Sequence, residues 1–185
     1  MQISRQMLMR AVPELYFKRV DEFVASFNMW ALAFDINTPQ RIVHYLAQTF
    51  HESGALRYVE EIASGAAYEG RTDLGNTQKG DGMRYKGRGY IQLTGRRNYE
   101  AFNKCDVCTA DVVATPEAVA EFPLNQVASM WFWQTHGLNE LADRDDGGKS
   151  GDDVVERITR KVNGGLNGIA QRKYYYRKFK REFGL

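Results

Sequence analysis

The stretch Thr38–Gly54, TPQRIVHYLAQTFHESG, is the most informative in the chain. Thr38 carries a hydroxyl that can accept from a free N–H of a first helical turn. Pro39 suits the first helical position, where the backbone N–H is unpaired anyway. Ile42, Tyr45, Leu46 and Thr49 then recur at three- and four-residue steps, the pattern of one apolar helix side. The helix runs into Phe50-His51-Glu52-Ser53-Gly54. With 3.6 residues per turn, Glu52 falls beside Tyr45 and Thr49, at the edge of the apolar stripe. Partial desolvation there favours the protonated acid.

Outward from this helix, most of the chain reads the same way. Val20, Phe23, Val24, Phe27, Ala31 and Phe34 predict a long helix that follows Pro13 and ends near Asp35. Helical signals return over Gly95–Asn103. Thr115-Pro116-Glu117 repeats the cap-then-proline start. Asn125–His136 carries Val127, Met130, Trp131 and Gln134 on one side, with Gly137 suited to its C-terminal turn. Val154, Val155, Ile158 and Val162 form another stripe, broken at Asn163-Gly164-Gly165, and a last helix carries Ile169, Tyr176, Phe179 and Phe183. Between these helices, glycines at 65, 70, 75, 80, 82, 87 and 89 predict irregular loops. Tyr90–Thr94 alternates like a short strand, and Asp143–Asp153 reads as an acidic, glycine-rich loop. The expectation is a mainly α fold with a small irregular β and loop element, forming a single domain over residues 1–185.

Composition narrows the function. The chain has 185 residues, 43% hydrophobic and 26% charged, enough for one folded domain. No apolar run approaches the ~18 residues of a membrane span. Met1–Arg10 lacks the apolar core of a secretory signal. Two cysteines make no disulfide framework. A net charge of +2 does not call for nucleic acid as a partner. The charge is uneven, however: from Val154 onward nine Lys/Arg face only Glu156 and Glu182. Such a C-terminus is either a solvated helix face or a surface for an anionic partner: nucleic acid, an acidic lipid surface or an anionic cell-wall polymer.

Several motifs fail on counting. His51-Glu52 begins like a zinc-protease HExxH, but the fifth position is Ala55. Gly148-Lys149-Ser150 resembles the end of a phosphate-binding loop, but Asp143 stands where its first glycine belongs. Asp143 and Asp145 start like a calcium loop, yet Val154 occupies the position of the bidentate glutamate. Gly87-x-Gly89 lacks the third glycine of a dinucleotide fingerprint. Cys105-x-x-Cys108 has no further cysteines for a four-cysteine zinc site. These counts leave no metal or cofactor motif standing.

What remains is a set of carboxylates beside a glycine-rich stretch. Glu52 sits at a helix end, and Glu60, Glu61 and Glu69 follow in polar sequence. Two carboxyl groups in unlike surroundings are what glycoside hydrolysis needs. One protonates the leaving oxygen, and the other activates water or attacks.

Ala47-Gln48-Thr49-Phe50-His51-Glu52-Ser53-Gly54 resembles the catalytic helix end of glycoside hydrolase family 19, which includes plant-type chitinases and bacteriophage endolysins. Tyr68-Glu69-Gly70-Arg71, Leu74-Gly75-Asn76, Gly80-Asp81-Gly82, Tyr85-Lys86-Gly87-Arg88-Gly89 and Ile91-Gln92-Leu93-Thr94-Gly95-Arg96-x-Asn98-Tyr99 are similar to its central signature. Val162-Asn163-Gly164-Gly165-x-Asn167-Gly168, followed by Arg172, is similar to its C-terminal one. The resemblance runs in order from about Thr38 to Tyr176.

The resemblance implies a lysozyme-like fold of two helical lobes around a groove, and inversion at the anomeric carbon with no covalent intermediate, no metal and no cofactor. It makes Glu52 the general acid. The second carboxylate falls nine residues on, at Glu61, with Glu60 and Glu69 as alternatives because the segment before Tyr68 is shortened. Thr94 matches the residue that positions the attacking water. Gln92, Asn98 and Asn163 match polar residues of the sugar groove, and Arg172 a basic residue that supports the carboxylates. Tyr90, with Tyr85 and Tyr99, is a candidate ring for sugar contact. A short chain without cysteine framework or signal peptide suggests the glycan strand of peptidoglycan as substrate rather than chitin, with a chitinase or a catalytically inactive polysaccharide-binding module as the alternatives. It suggests a monomeric endolysin held in the host cytoplasm until a holin releases it.

Overall fold

Nine α-helices, with four short 3₁₀ turns, make up just over half of the computed structural model, which describes residues 1–148 and 150–185. They are α1 (Arg5–Ala11), α2 (Val20–Trp30), α3 (Pro39–Glu52), α4 (Asp81–Arg84), α5 (Arg96–Asn103), α6 (Leu124–Thr135), α7 (Leu138–Ala142), α8 (Gly151–Asn163) and α9 (Ile169–Glu182). Lys149 lies outside the described residues, and with it the middle of the Gly148-Lys149-Ser150 run.

Helix α3 is the axis on which α2, α6, α7, α8 and α9 meet. Thr38 Oγ1 accepts from Arg41 N at 3.3 Å, as its sequence position requires, and every residue from Ile42 to Phe50 is buried. Its aromatic side meets three other helices. Phe50 packs edge-on against Phe23 of α2 at 5.7 Å between ring centroids and against Phe179 of α9 at 4.9 Å. Tyr45 meets Trp133 of α6 at 5.3 Å. Edge-to-face pairs at these distances suit the ring quadrupoles and add to the gain from burial.

Two expected elements are different. Helix α2 is shorter than its apolar pattern suggested: a 3₁₀ turn at Phe17–Arg19 leads into it, and the chain turns after Trp30, with Asp35 at φ 57°. Tyr90–Thr94 is not a strand. Arg88 and Leu93 exchange both backbone hydrogen bonds, 3.1 and 2.7 Å, around a tight loop with Gly89 at φ 78° and Gln92 at φ 60°. The apparent alternation came from Tyr90, Ile91 and Leu93, all buried from within this loop. Arg88 also bridges Glu60, so the β content of this region is isolated bridges. This loop brings residues 59–61 alongside residues 87–93.

Candidate active site

His44, Gln48 and Glu52 recur every fourth residue on α3 and so share a helix face. This polar face is turned to α9 rather than to water. Arg172 of α9, only 1% exposed, donates from Nη1 to Gln48 Oε1, from Nη2 to Glu52 Oε1, and from Nε to the Asn167 carbonyl at 3.2 Å. Gln48 in turn donates to Thr159 Oγ1 of α8 at 3.2 Å. One turn earlier, buried His44 contacts Asp145 at 3.0 Å. Tyr176, stacked on His44, donates to the same carboxylate at 2.6 Å.

The expected apolar surroundings of Glu52 are therefore corrected: a guanidinium fixes its Oε1. Guanidinium groups only donate, so a protonated Glu52 carries its proton on Oε2. His51, beside it, packs on Gly168, where an added Cβ would fall 2.0 Å from the ring, and its Nδ1 contacts Gln171 Oε1 at 2.7 Å. Burial, with the Arg172 charge next, pushes the His51 imidazole below its ordinary pKa.

Glu61 lies across the groove. Its Oε1 accepts from the Tyr68 hydroxyl at 3.1 Å and its Oε2 from Gly87 N at 3.3 Å, while Glu61 N donates to the Gly87 carbonyl at 2.9 Å. Both oxygens accept, the role of an ionised carboxylate. Gly87 is the point where the site converges. A Cβ there would stand 2.7 Å from Gln92 Oε1 and 3.3 Å from Thr94 Oγ1. Thr94 donates its hydroxyl proton to the Gln92 carbonyl at 2.8 Å, leaving oxygen lone pairs free to accept from a water. Glu52, Glu61 and Gln92 line one open cavity of about 280 Å³.

The other candidates are used differently. Glu60 is paired with Arg88 at 3.0 Å and Lys86 at 3.3 Å, at the same cavity's edge. Glu69 accepts from Gly80 N at 2.6 Å and Gly82 N at 2.8 Å, so it ties the glycine-rich segment to the start of α4. Asn98 donates to the Thr94 carbonyl at 2.8 Å and holds that turn. Asn163 donates to the Asn167 carbonyl at 3.2 Å, the same oxygen that receives Arg172 Nε, and so braces Arg172. Tyr90 is corrected: it is 1% exposed with its ring 5.2 Å from Phe23, and it presents no face to a sugar. Tyr85 and Tyr99 are likewise buried.

The sequence reading missed Gln48 and His51, which stood inside the quoted helix. It also missed Tyr58 and Ile62, 43% and 82% exposed on the wall of the groove. An isoleucine directly after two glutamates in polar sequence was the available signal for the latter. The basic C-terminus is partly neutralised: Lys173 bridges Glu156 at 2.7 Å and Arg177 bridges Asp152.

Comparison with known proteins gives the family and the fold. The model of glycoside hydrolase family 19, described as chitinase class I, matches residues 5–145. That span holds Glu52, Glu61, Gln92 and Thr94 and ends before Arg172. A glycosyl hydrolase family 19 domain-containing protein of Haemophilus influenzae is 38% identical over 118 residues, 63% of this chain and 52% of that protein. An endochitinase of Arabidopsis thaliana is 37% identical over 155 residues, 79% of this chain and 49% of that protein. The chain thus spans about half the length of these relatives. Among solved structures, a bacterial family 19 chitinase superposes with a TM-score of 0.67 at 20% identity, covering 99% of this chain and 95% of the other. A class IV chitinase from Zea mays gives 0.66 at 22% identity, over 95% and 85%. At those identities the structural likeness establishes the fold, mainly α and lysozyme-like.

Proposed function

Because the chain belongs to glycoside hydrolase family 19, we propose that this glycoside hydrolase cleaves β-1,4 bonds in the glycan strand of peptidoglycan by direct displacement with inversion. The observation that carries the chemistry is the pairing of Arg172-anchored Glu52 with Glu61 in one groove.

In this scheme Glu52 transfers its Oε2 proton to the glycosidic oxygen as the bond from that oxygen to the anomeric carbon breaks. Glu61 removes a proton from a water whose other hydrogen is accepted by Thr94 Oγ1. The water oxygen bonds to the anomeric carbon from the opposite face, and solvent then restores both carboxyl groups. Two carboxyl groups on opposite faces with a water between them define the inverting geometry. Tyr58 and Ile62 offer apolar surface to the sugar rings and acetamido methyl groups.

Two features support peptidoglycan over chitin. Both cysteines are free, so the chain carries no disulfide framework of the kind expected of a secreted plant chitinase. Arg157, Lys161, Lys178, Lys180 and Arg181 have no carboxylate partner among the described residues, and they suit approach to an anionic envelope. An endolysin that waits in the host cytoplasm and acts as a monomer at the wall fits this reading. The second reading, a chitinase, is favoured by the names of the plant relatives. Turbidity loss of permeabilised Gram-negative cells, measured beside release of soluble chitooligosaccharides, separates them. Lysis with little chitin turnover supports the endolysin, and the converse supports the chitinase.

A further inference from the structure

A second cavity, of about 560 Å³, lies beside the catalytic groove, and Glu60 stands on the walls of both. Val59 and Asn125 line it. They are neighbours through Gly89 N to the Val59 carbonyl, 2.8 Å, and Tyr90 N to the Asn125 carbonyl, 3.2 Å. Lys18 and Arg19, from the turn before α2, contribute two cations, and Glu22 and Glu121 contribute two carboxylates.

None of these four charges is paired with an opposite charge among the described residues. Arg19 donates from Nη1 to the Arg57 carbonyl at 2.8 Å and lies over the Tyr16 ring at 5.7 Å, with no carboxylate on it. Behind the wall, the buried Tyr90 hydroxyl has no hydrogen-bond partner, and the charges acting on it are those of Arg19 and Glu22. Phe122, 47% exposed, adds an apolar edge. The acid–base chemistry at Glu52 and Glu61 uses none of these groups.

A bare chain of N-acetylglucosamine is neutral and gives such a cavity nothing to balance. A glycan whose sugars carry short peptides presents free carboxylates and free ammonium groups close to the scissile bond. We propose that this cavity is a side pocket for the peptide arm of a peptide-substituted glycan, with peptide carboxylates on Lys18 and Arg19 and an ammonium between Glu22 and Glu121. The proposal rests on the peptidoglycan reading and deepens it by naming the feature that selects the substituted strand.

The test compares hydrolysis of peptide-bearing peptidoglycan strands with the same strands stripped of peptide by an amidase. Wild type is run against Lys18→Glu and Lys18→Ala, each first shown to melt at the wild-type temperature. The expected result is a rise in KM of roughly fivefold for peptide-bearing strands with Lys18→Glu, the scale of a reversed exposed charge. Lys18→Ala should shift KM less in the same direction, kcat should hold, and stripped strands should be cleaved as before. Added salt should erase the difference. Equal changes on both strands, or no change on either, overturn the side pocket while leaving the peptidoglycan reading intact. A wild-type enzyme that cleaves chitooligosaccharides and neither strand overturns that reading, and the pocket's occupant with it.

Discussion

Arg172 Nη2 donates to Glu52 Oε1 across 120 residues of sequence, joining the end of α3 to the first turns of α9. The same guanidinium holds Gln48 and the Asn167 carbonyl, so one buried cation fixes the acid's orientation and the turn between α8 and α9.

Replacing Arg172 by Lys keeps the charge but loses the planar fork that reaches three acceptors. Leaving buried acceptors unmet costs about 1–3 kcal/mol. Arg172→Lys should therefore lower the melting temperature and reduce kcat more than it raises KM, because it loosens the proton donor. Unchanged stability with unchanged kcat would show that the pair is incidental.

Gly87→Ala tests how tightly the water site is built. The added methyl would stand 2.7 Å from Gln92 Oε1 and 3.3 Å from Thr94 Oγ1. Gln92 is already held at φ 60°, so the loop has little room to give. The melting temperature should fall, and kcat of the folded variant should fall about tenfold or more, given that misplacing groups by ~1 Å can cost ~10²-fold. Full activity in this variant would separate Gln92 and Thr94 from the reaction.

Acid should destabilise the fold in two windows. Burial pushes His44, His51 and His136 below the ordinary value of 6.5, so the unfolded chain binds protons that the folded chain refuses. Stability is then fully present above about pH 6.5 and falls as pH drops below it, by up to about 1.4 kcal/mol per pH unit for each proton. Asp145 adds a second loss at lower pH. Burial opposes its ionisation, but hydrogen bonds from His44, Tyr176 and Gly147 N hold it down at about 2, against 3.8 for the free group. Melting curves from pH 7.5 to 5 should fall, and His44→Gln, which still donates to Asp145 without titrating, should flatten the slope. An unchanged slope would remove His44 from the explanation.

The free cysteines should be dispensable. Cys105 and Cys108 are half-buried, and Cys108 donates to the Ala110 carbonyl at 3.3 Å. A double serine variant should keep wild-type rates. Loss of activity in a folded double variant would assign the pair a role the site does not show.

Much of this was legible before the coordinates. Thr38-Pro39 marked the start of α3 because capping is local chemistry, and Glu52, Glu61 and Gln92 line one groove, with Thr94 hydrogen-bonded to Gln92 beside it. What failed depended on distant contacts. Glu52 looks like an acid at the edge of an apolar stripe until Arg172, 120 residues on, arrives at its Oε1. Tyr90–Thr94 looks like a strand because alternation does not reveal a positive φ at Gln92. The nine-cation C-terminus looked opposed by two glutamates alone because Asp152, which pairs with Arg177, precedes Val154 in sequence.

The most direct measurement is time-resolved proton NMR of the reducing end released from a soluble glycan substrate by wild type, Glu52→Gln, Glu61→Gln, Glu60→Gln and Glu69→Gln. General acid–base groups contribute ~10²–10⁴-fold. The expected result is that wild type releases the α anomer first, that Glu52→Gln and Glu61→Gln fall by factors of that size, and that Glu60→Gln and Glu69→Gln turn over at milder cost. A first product in the β configuration, near-wild-type turnover in Glu52→Gln, or an active Glu61→Gln beside a dead Glu69→Gln would contradict inversion by Glu52 and Glu61.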